Sequence, residues 1–173
     1  MAKKVTNKMY TDFKKFKSAW EKDADSPYNT IMYYLIAALN IEKDPDLANA
    51  MMTVVVSKND SVEDSKSPSG RKLRRTGAAY YIGQFQRNTD IAKSFVGGTQ
   101  ENDYQIDEDK LVMTVVKEQD KRNKEKKIFI QSGGKDNPTP VTLARNKSGQ
   151  WKLIEYSSIC TGVKPRLDTV GDF

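Results

Sequence analysis

Residues 126–157 read K-K-I-F-I-Q-S-G-G-K-D-N-P-T-P-V-T-L-A-R-N-K-S-G-Q-W-K-L-I-E-Y-S. Short runs rich in Ile, Val, Thr and aromatics alternate here with turn residues, the pattern of an antiparallel meander. Strands are read at 127–132, 139–145 and 150–157, with a further one upstream at 111–116. Asn146-Lys147-Ser148-Gly149 fits a four-residue hairpin connection closed by glycine. Pro138 and Pro140 lack the backbone donor that a central strand needs, so they restrict that strand to a start or an exposed edge.

Before residue 97 the period is helical. Met9, Phe13, Phe16 and Trp20 recur at i, i+4, i+7 and i+11 with lysines between them, an amphipathic helix with an aromatic face. That face is expected to dock on its own core; a basic helix lying on a membrane or partner is the alternative. Asp25-Ser26-Pro27 and Asp44-Pro45-Asp46 each place a capping residue ahead of proline, the signature of a helix start. The second helix, from Tyr28 to about Asn40, is apolar nearly all round and therefore central. A third runs onward from Leu47. The polar, Ser-rich stretch 57–70 reads as a solvated loop, 70–87 as a helix, and Thr89–Phe95 as a short one stopped by Gly97-Gly98. Helices followed by strands predict one α+β domain over 1–173. About four helices (9–95) pack on an antiparallel meander of about four strands (97–165).

Composition excludes more than it assigns. There is no histidine, so neither a Ser-His-Asp nor a Cys-His nucleophile can be built within the chain, nor an imidazole-based zinc site. The one cysteine, Cys160, rules out an intramolecular disulfide and reads as a buried thiol. No apolar run approaches the roughly 20 residues that span a bilayer. The basic start, Met1 to Val5, leads into polar residues in place of an apolar signal core, so a cytoplasmic location is expected.

The net charge of +6 is unevenly spread. Arg71, Lys72, Arg74 and Arg75 form one cluster and residues 121–127 another, and together they are the candidates for contact with a polyanion such as nucleic acid. The loop Gly97–Tyr104, with Asp107, Glu108 and Asp109 beyond, offers oxygen ligands but lacks the spacing of a calcium loop, so a capped turn is the plainer reading. Ser132-Gly133-Gly134-Lys135-Asp136 follows a strand as phosphate-cradling loops do. It lacks the P-loop spacing, however, and leads into a strand. Glu101, Asp103 and Asp136 are carboxylates near strand ends, and nothing in their spacing selects a hydrolytic pair.

Four phrases resemble one family together: G-G-T-Q-E-N-D-Y at 97–104, S-G-G-K-D-N-P-T-P-V-T-L at 132–143, G-Q-W-K-L-I-E-Y-S-S at 149–158 and G-V-K-P at 162–165. The family is DUF6935, a bacterial domain family of unknown function, and the resemblance covers roughly residues 70–173. The chain departs from the pattern at Gln100, where proline is usual, at Thr139, where arginine is usual, and at 168–171, which lacks the usual tryptophan. The resemblance implies a bacterial protein with no assigned activity, whose motif turns (Glu101, Asn102, Tyr104, Ser132, Gly133, Gly134 and Asp136) are the candidate binding residues. A non-catalytic interaction or accessory module with a protein partner ranks first, and polyanion binding second. Small-molecule binding or hydrolysis by loop carboxylates ranks third. No cofactor and no metal is expected, and the oligomeric state stays open.

Overall fold

The computed structural model describes residues 2–170. Five strands form one antiparallel sheet in the order β1 (Lys3–Asn7), β4 (Leu111–Asp120), β5 (Lys126–Ile130), β6 (Thr139–Arg145), β7 (Trp151–Glu155). The last four are the expected meander. The first is an addition: Lys3 lies opposite Val115 and Asn7 opposite Leu111. A stretch so rich in lysine carries almost no strand signal of its own. Lys3 and Lys4 face solvent while Val5 alone is buried, so the sheet's edge recruits this strand.

Helices α1 (Phe13–Asp23), α2 (Pro27–Leu39), α3 (Pro45–Val55), α4 (Ala78–Arg87) and the single turn α5 (Asp90–Lys93) complete the α+β fold. Asp12 caps α1 by accepting from Lys15 N at 2.9 Å, and Asp44 caps α3 by accepting from Leu47 N at 3.1 Å. Met9, expected inside the first helix, precedes it and donates its backbone N–H to Glu108 O. The aromatic face of α1 docks on the chain's own core: Phe16 and Trp20 are buried, as is nearly all of α2. Trp20 Nε1 donates to Thr30 Oγ1 (3.1 Å) and Thr30 Oγ1 donates to the Trp151 carbonyl (2.9 Å), tying α1, α2 and β7 together.

Residues 57–75 correct two expectations. The stretch read as a solvated loop, and the start of the helix read over 70–87, form a hairpin instead: β2 (Ser61–Glu63) pairs with β3 (Arg71–Leu73), and α4 begins only at Ala78. The reason is local. Gly77 sits at φ 97°, a backbone region open to glycine, and breaks any helix continuing from 70. Asn49 Oδ1 accepts from Leu73 N at 2.9 Å, and the buried Leu73 anchors β3 against α3. The chain leaving α3 also shields the β7 edge, since Ser57 N donates to Leu153 O at 2.8 Å.

Antiparallel connectivity assigns the two ends of the sheet. The β4–β5 and β6–β7 turns lie at one end, about two strand spacings (~10 Å) apart. The loops before β4, between β5 and β6, and after β7 lie at the other.

Candidate functional site

The motif residues converge at that second end, and they converge on one another. Gly133 N donates to Ser94 O (2.7 Å), Lys164 N donates to Gly134 O (2.9 Å), and Thr99 forms an isolated parallel bridge with Gly133. Ser132 Oγ donates to Ser94 Oγ (2.7 Å) and accepts from Gly134 N (3.0 Å). The Tyr104 hydroxyl donates to Lys164 O, and Gln100 Nε2 donates to Pro165 O (2.7 Å). Asn102 closes a capping box with Thr99: its Oδ1 accepts from Thr99 N (2.8 Å) and Thr99 Oγ1 accepts from Asn102 N (3.1 Å).

The glycines are there for clearance. A Cβ on Gly133 would overlap the Gly98 carbonyl oxygen, and one on Gly134 would overlap the Tyr104 hydroxyl and stand 2.7 Å from Val163 Cβ. Asp103 and Tyr104 adopt left-handed backbone (φ 58° and 55°), and Tyr104 is buried while doing so. That conformation costs about 1 kcal/mol or more for a non-glycine residue and is held by the surrounding bonds.

This geometry rewrites the sequence candidates. The Gly133-Gly134 turn is no anion nest, because both amides already have protein acceptors. Lys135 turns inward to Ser158 O (3.1 Å) and Thr161 Oγ1 (2.6 Å), and burial pushes its amine down from the usual lysine range. Asp136 is exposed and pairs with Lys164 at 2.6 Å. Glu101 is exposed, Ser132 is buried, and Asp103 lines a cavity of about 400 Å³. The carboxylates therefore face different surroundings. Among the described residues no three Cys, Asp or Glu side chains stand close enough to hold a metal ion. Two of that cavity's cations are neutralised: Lys93 meets Glu42 at 3.0 Å, and Arg166 meets Asp90 at 2.8 Å. Cys160 is buried, its Sγ donating to Ser157 O, and burial raises the thiol above its ordinary range.

The Arg71–Arg75 cluster divides. Arg71 Nε donates to Ser61 Oγ (2.7 Å) and its Nη2 to Ser61 O (2.9 Å), while Arg74 Nε donates to Asn59 O (2.6 Å). These two staple the β2–β3 hairpin to the turn before it. Lys72 and Arg75 are exposed. Lys14 lines a separate concavity of about 710 Å³ along α1, which shares no lining residue with the surroundings of Arg71.

A second constellation escaped the sequence. Arg71 joins Lys58, Arg145 and Lys152 around a groove of about 430 Å³ past the β7 edge, with Thr53, Ser57, Asn59 and Asn146 as polar walls and Ala144 and Ile154 as apolar ones. Two regions far apart in sequence, 58–71 and 145–152, supply its cations, so no local motif announces it; the contact of Ser57 with β7 brings them together. Burial, with Arg71 nearby, pushes the Lys152 amine down to about 8. Its Nζ lies 5.2 Å from the centre of the Trp20 ring, and the Arg145 guanidinium lies 5.0 Å from that of Trp151.

Beside the groove, the hairpin tips carry Lys121, Arg122, Lys124 and Lys147, all exposed. Asn123 and Lys124 both take positive φ (61° and 59°), as a two-residue type I′ turn requires. Among the described residues no helix is long and apolar enough to cross a membrane. No curated protein and no solved structure matches the chain. A family model matches residues 7–166, a wider span than the four phrases and one that includes α1 to α3; the chain belongs to the family described as Domain of unknown function (DUF6935).

Proposed function

We propose that this chain is a non-catalytic interaction module that engages an acidic surface of a partner protein through the hairpin-tip end of its sheet. The observation carrying this reading is the division of labour between the two ends. Motif hydroxyls and amides are engaged within the fold, whereas Lys121, Arg122, Lys124 and Lys147 project from neighbouring tips. Lys124 adds to the argument. It occupies a left-handed position that glycine fills at less cost, which keeps a cation at the outermost point of the turn.

A protein partner is favoured over nucleic acid by charge interleaving. Glu118 and Asp120 stand 3.8 and 3.6 Å from Lys126, and Glu125 lies on the same tip. A patterned surface of both signs suits a complementary partner, while a uniform polyanion rewards unbroken positive charge.

The test is a paired pull-down from lysate of the cells that make the protein. It compares the parent with the triple variant Arg122→Glu, Lys124→Glu, Lys147→Glu, with and without nuclease. Loss from the variant of a protein that the parent retains after nuclease treatment supports the reading. Material that disappears with nuclease and elutes with salt replaces it with nucleic-acid binding. Identical capture by both chains overturns the tip surface altogether.

A further inference from the structure

We propose that the groove formed by Lys58, Arg71, Arg145 and Lys152 is a binding site for a phosphate monoester of a small organic molecule. Four cations surround one concavity of about 430 Å³ with no carboxylate among its lining residues. Among the described residues none of the four has an acidic partner within 4 Å, whereas in the cavity beside the motif knot Lys93 and Arg166 are each paired and carboxylates line the wall. Charges of one sign gathered around one concavity repel, and no carboxylate of its lining offsets that repulsion. Lys152 records this, since burial and Arg71 together depress its affinity for a proton. An anion in the groove supplies the missing countercharge.

The geometry selects among anions. Arg71 is held in place before any ligand arrives: Ser61 engages Nε and Nη2, and the Lys58 carbonyl accepts from Nη2 at 3.4 Å. Nη1 has no acceptor among the described residues. A guanidinium fixed in orientation and an ammonium with three donors match the several oxygens of a phosphate better than the two of a carboxylate. Ile154 and Ala144 on the sheet side provide an apolar wall for the organic part of an ester, and Asn59 and Asn146 stand at the rim for its polar groups. The volume exceeds what bare phosphate fills, so a monoester uses the groove more fully than the inorganic ion.

This site is independent of the tip surface proposed above, and the experiment separates the two. Titrations of the full chain with phenyl phosphate, inorganic phosphate and acetate at matched ionic strength are followed by calorimetry and by the Lys152 Nζ signal in NMR. Saturable binding in the order phenyl phosphate, phosphate, acetate is expected. The Lys152 pKa should climb from about 8 toward the ordinary lysine range as phenyl phosphate fills the site. Lys152→Met and Arg145→Gln each weaken phenyl phosphate roughly tenfold or more, while the tip triple variant binds it as the parent does. Two variants are used because either side chain also packs on a tryptophan, and circular dichroism confirms the fold of each. Equal response to acetate and phenyl phosphate, absence of saturation, or a Lys152 signal unmoved by ligand overturns the proposal. Loss of binding in the tip variant with retention in both groove variants relocates the site to the tips and overturns it as well.

Discussion

The two ends of the sheet are built on opposite principles. At the Gly133 end, three loops from distant parts of the chain close on one another, and their polar groups bond chiefly within the protein. At the hairpin-tip end, four cations share a groove with no acid among its lining, and four more stand exposed on the tips. One end spends its chemistry on shape and leaves little to offer a ligand. The other gathers like charges with no acid to offset them, the arrangement on which the proposed binding roles rest. The contrast also warns that the most distinctive phrases in a sequence can be the least reactive part of the molecule.

The largest effect expected is at the knot. In Gly133→Ala the new methyl meets the Gly98 carbonyl and Thr99, and both sides of that contact are backbone pinned by the Thr99–Gly133 bridge. Such overpacking should cost about 3 kcal/mol, lowering Tm by roughly 6–12 °C in a chain of this size. A Tm within a degree or two of the parent's in differential scanning calorimetry would show that the knot yields, and the contrast would lose its rigid half.

The groove should respond in the opposite direction. Lys152→Met keeps the packing against Trp20 and removes a desolvated charge, so stability at pH 7 should rise by about 1–3 kcal/mol. The pH dependence carries the same sign. With its folded pKa lowered to about 8 from 10.5, Lys152 holds fewer protons in the folded chain than in the unfolded chain. Its contribution to stability therefore increases as pH climbs from about 8 to 10.5. Lys135, lowered by burial, acts in the same sense. Cys160 above about pH 9, and the buried Tyr33, Tyr34 and Tyr156 above about pH 10, work against them, because burial raises these acids and the unfolded chain loses its protons first. Urea denaturation at pH 7, 8 and 9 should show a rise in the parent that is blunted in Lys152→Met; identical slopes would mean the amine is not depressed. Lys124→Gly should give a smaller gain, about 1 kcal/mol, by relieving the left-handed strain at the tip. A loss on that substitution would remove Lys124 as a sign of function.

Legibility in the sequence divided along the same line. The helix starts at Pro27 and Pro45, the meander and the Asn146–Gly149 turn are local matters of capping, alternation and turn chemistry, and they read directly. The hairpin over 61–73 did not, because three-residue strands with one anchoring Leu carry no period, and a Ser-rich sequence is polar whether it is folded or solvated. Strand β1 was invisible for a similar reason: its partner, 110 residues away, makes it a strand. The motif residues were found, but their spacing says nothing about whether a polar group points outward or at a neighbour. The groove was missed entirely apart from Arg71, since nothing in the sequence brings the 58–71 region onto the Arg145–Lys152 hairpin, a contact made through Ser57 and β7.

The smallest effect sharpens the comparison from inside the knot. Lys164 has two roles there. Its side chain reaches Asp136 at 2.6 Å in an exposed ion pair, while its backbone gives N–H to Gly134 O and accepts the Tyr104 hydroxyl. An exposed pair gains little in water, where screening and side-chain entropy nearly cancel the attraction. Lys164→Met should therefore leave the melting curve indistinguishable from the parent's and insensitive to salt. Tyr104→Phe removes the bond to the same residue's carbonyl and leaves a part-buried acceptor short of a donor, which costs about 1 kcal/mol and a few degrees. If the order were reversed, with the charge mattering more than the hydroxyl, the knot would be held by surface electrostatics and its free carboxylates would regain standing as a binding site. If the order holds, the motif encodes backbone shape, and the chemistry belongs at the other end of the sheet.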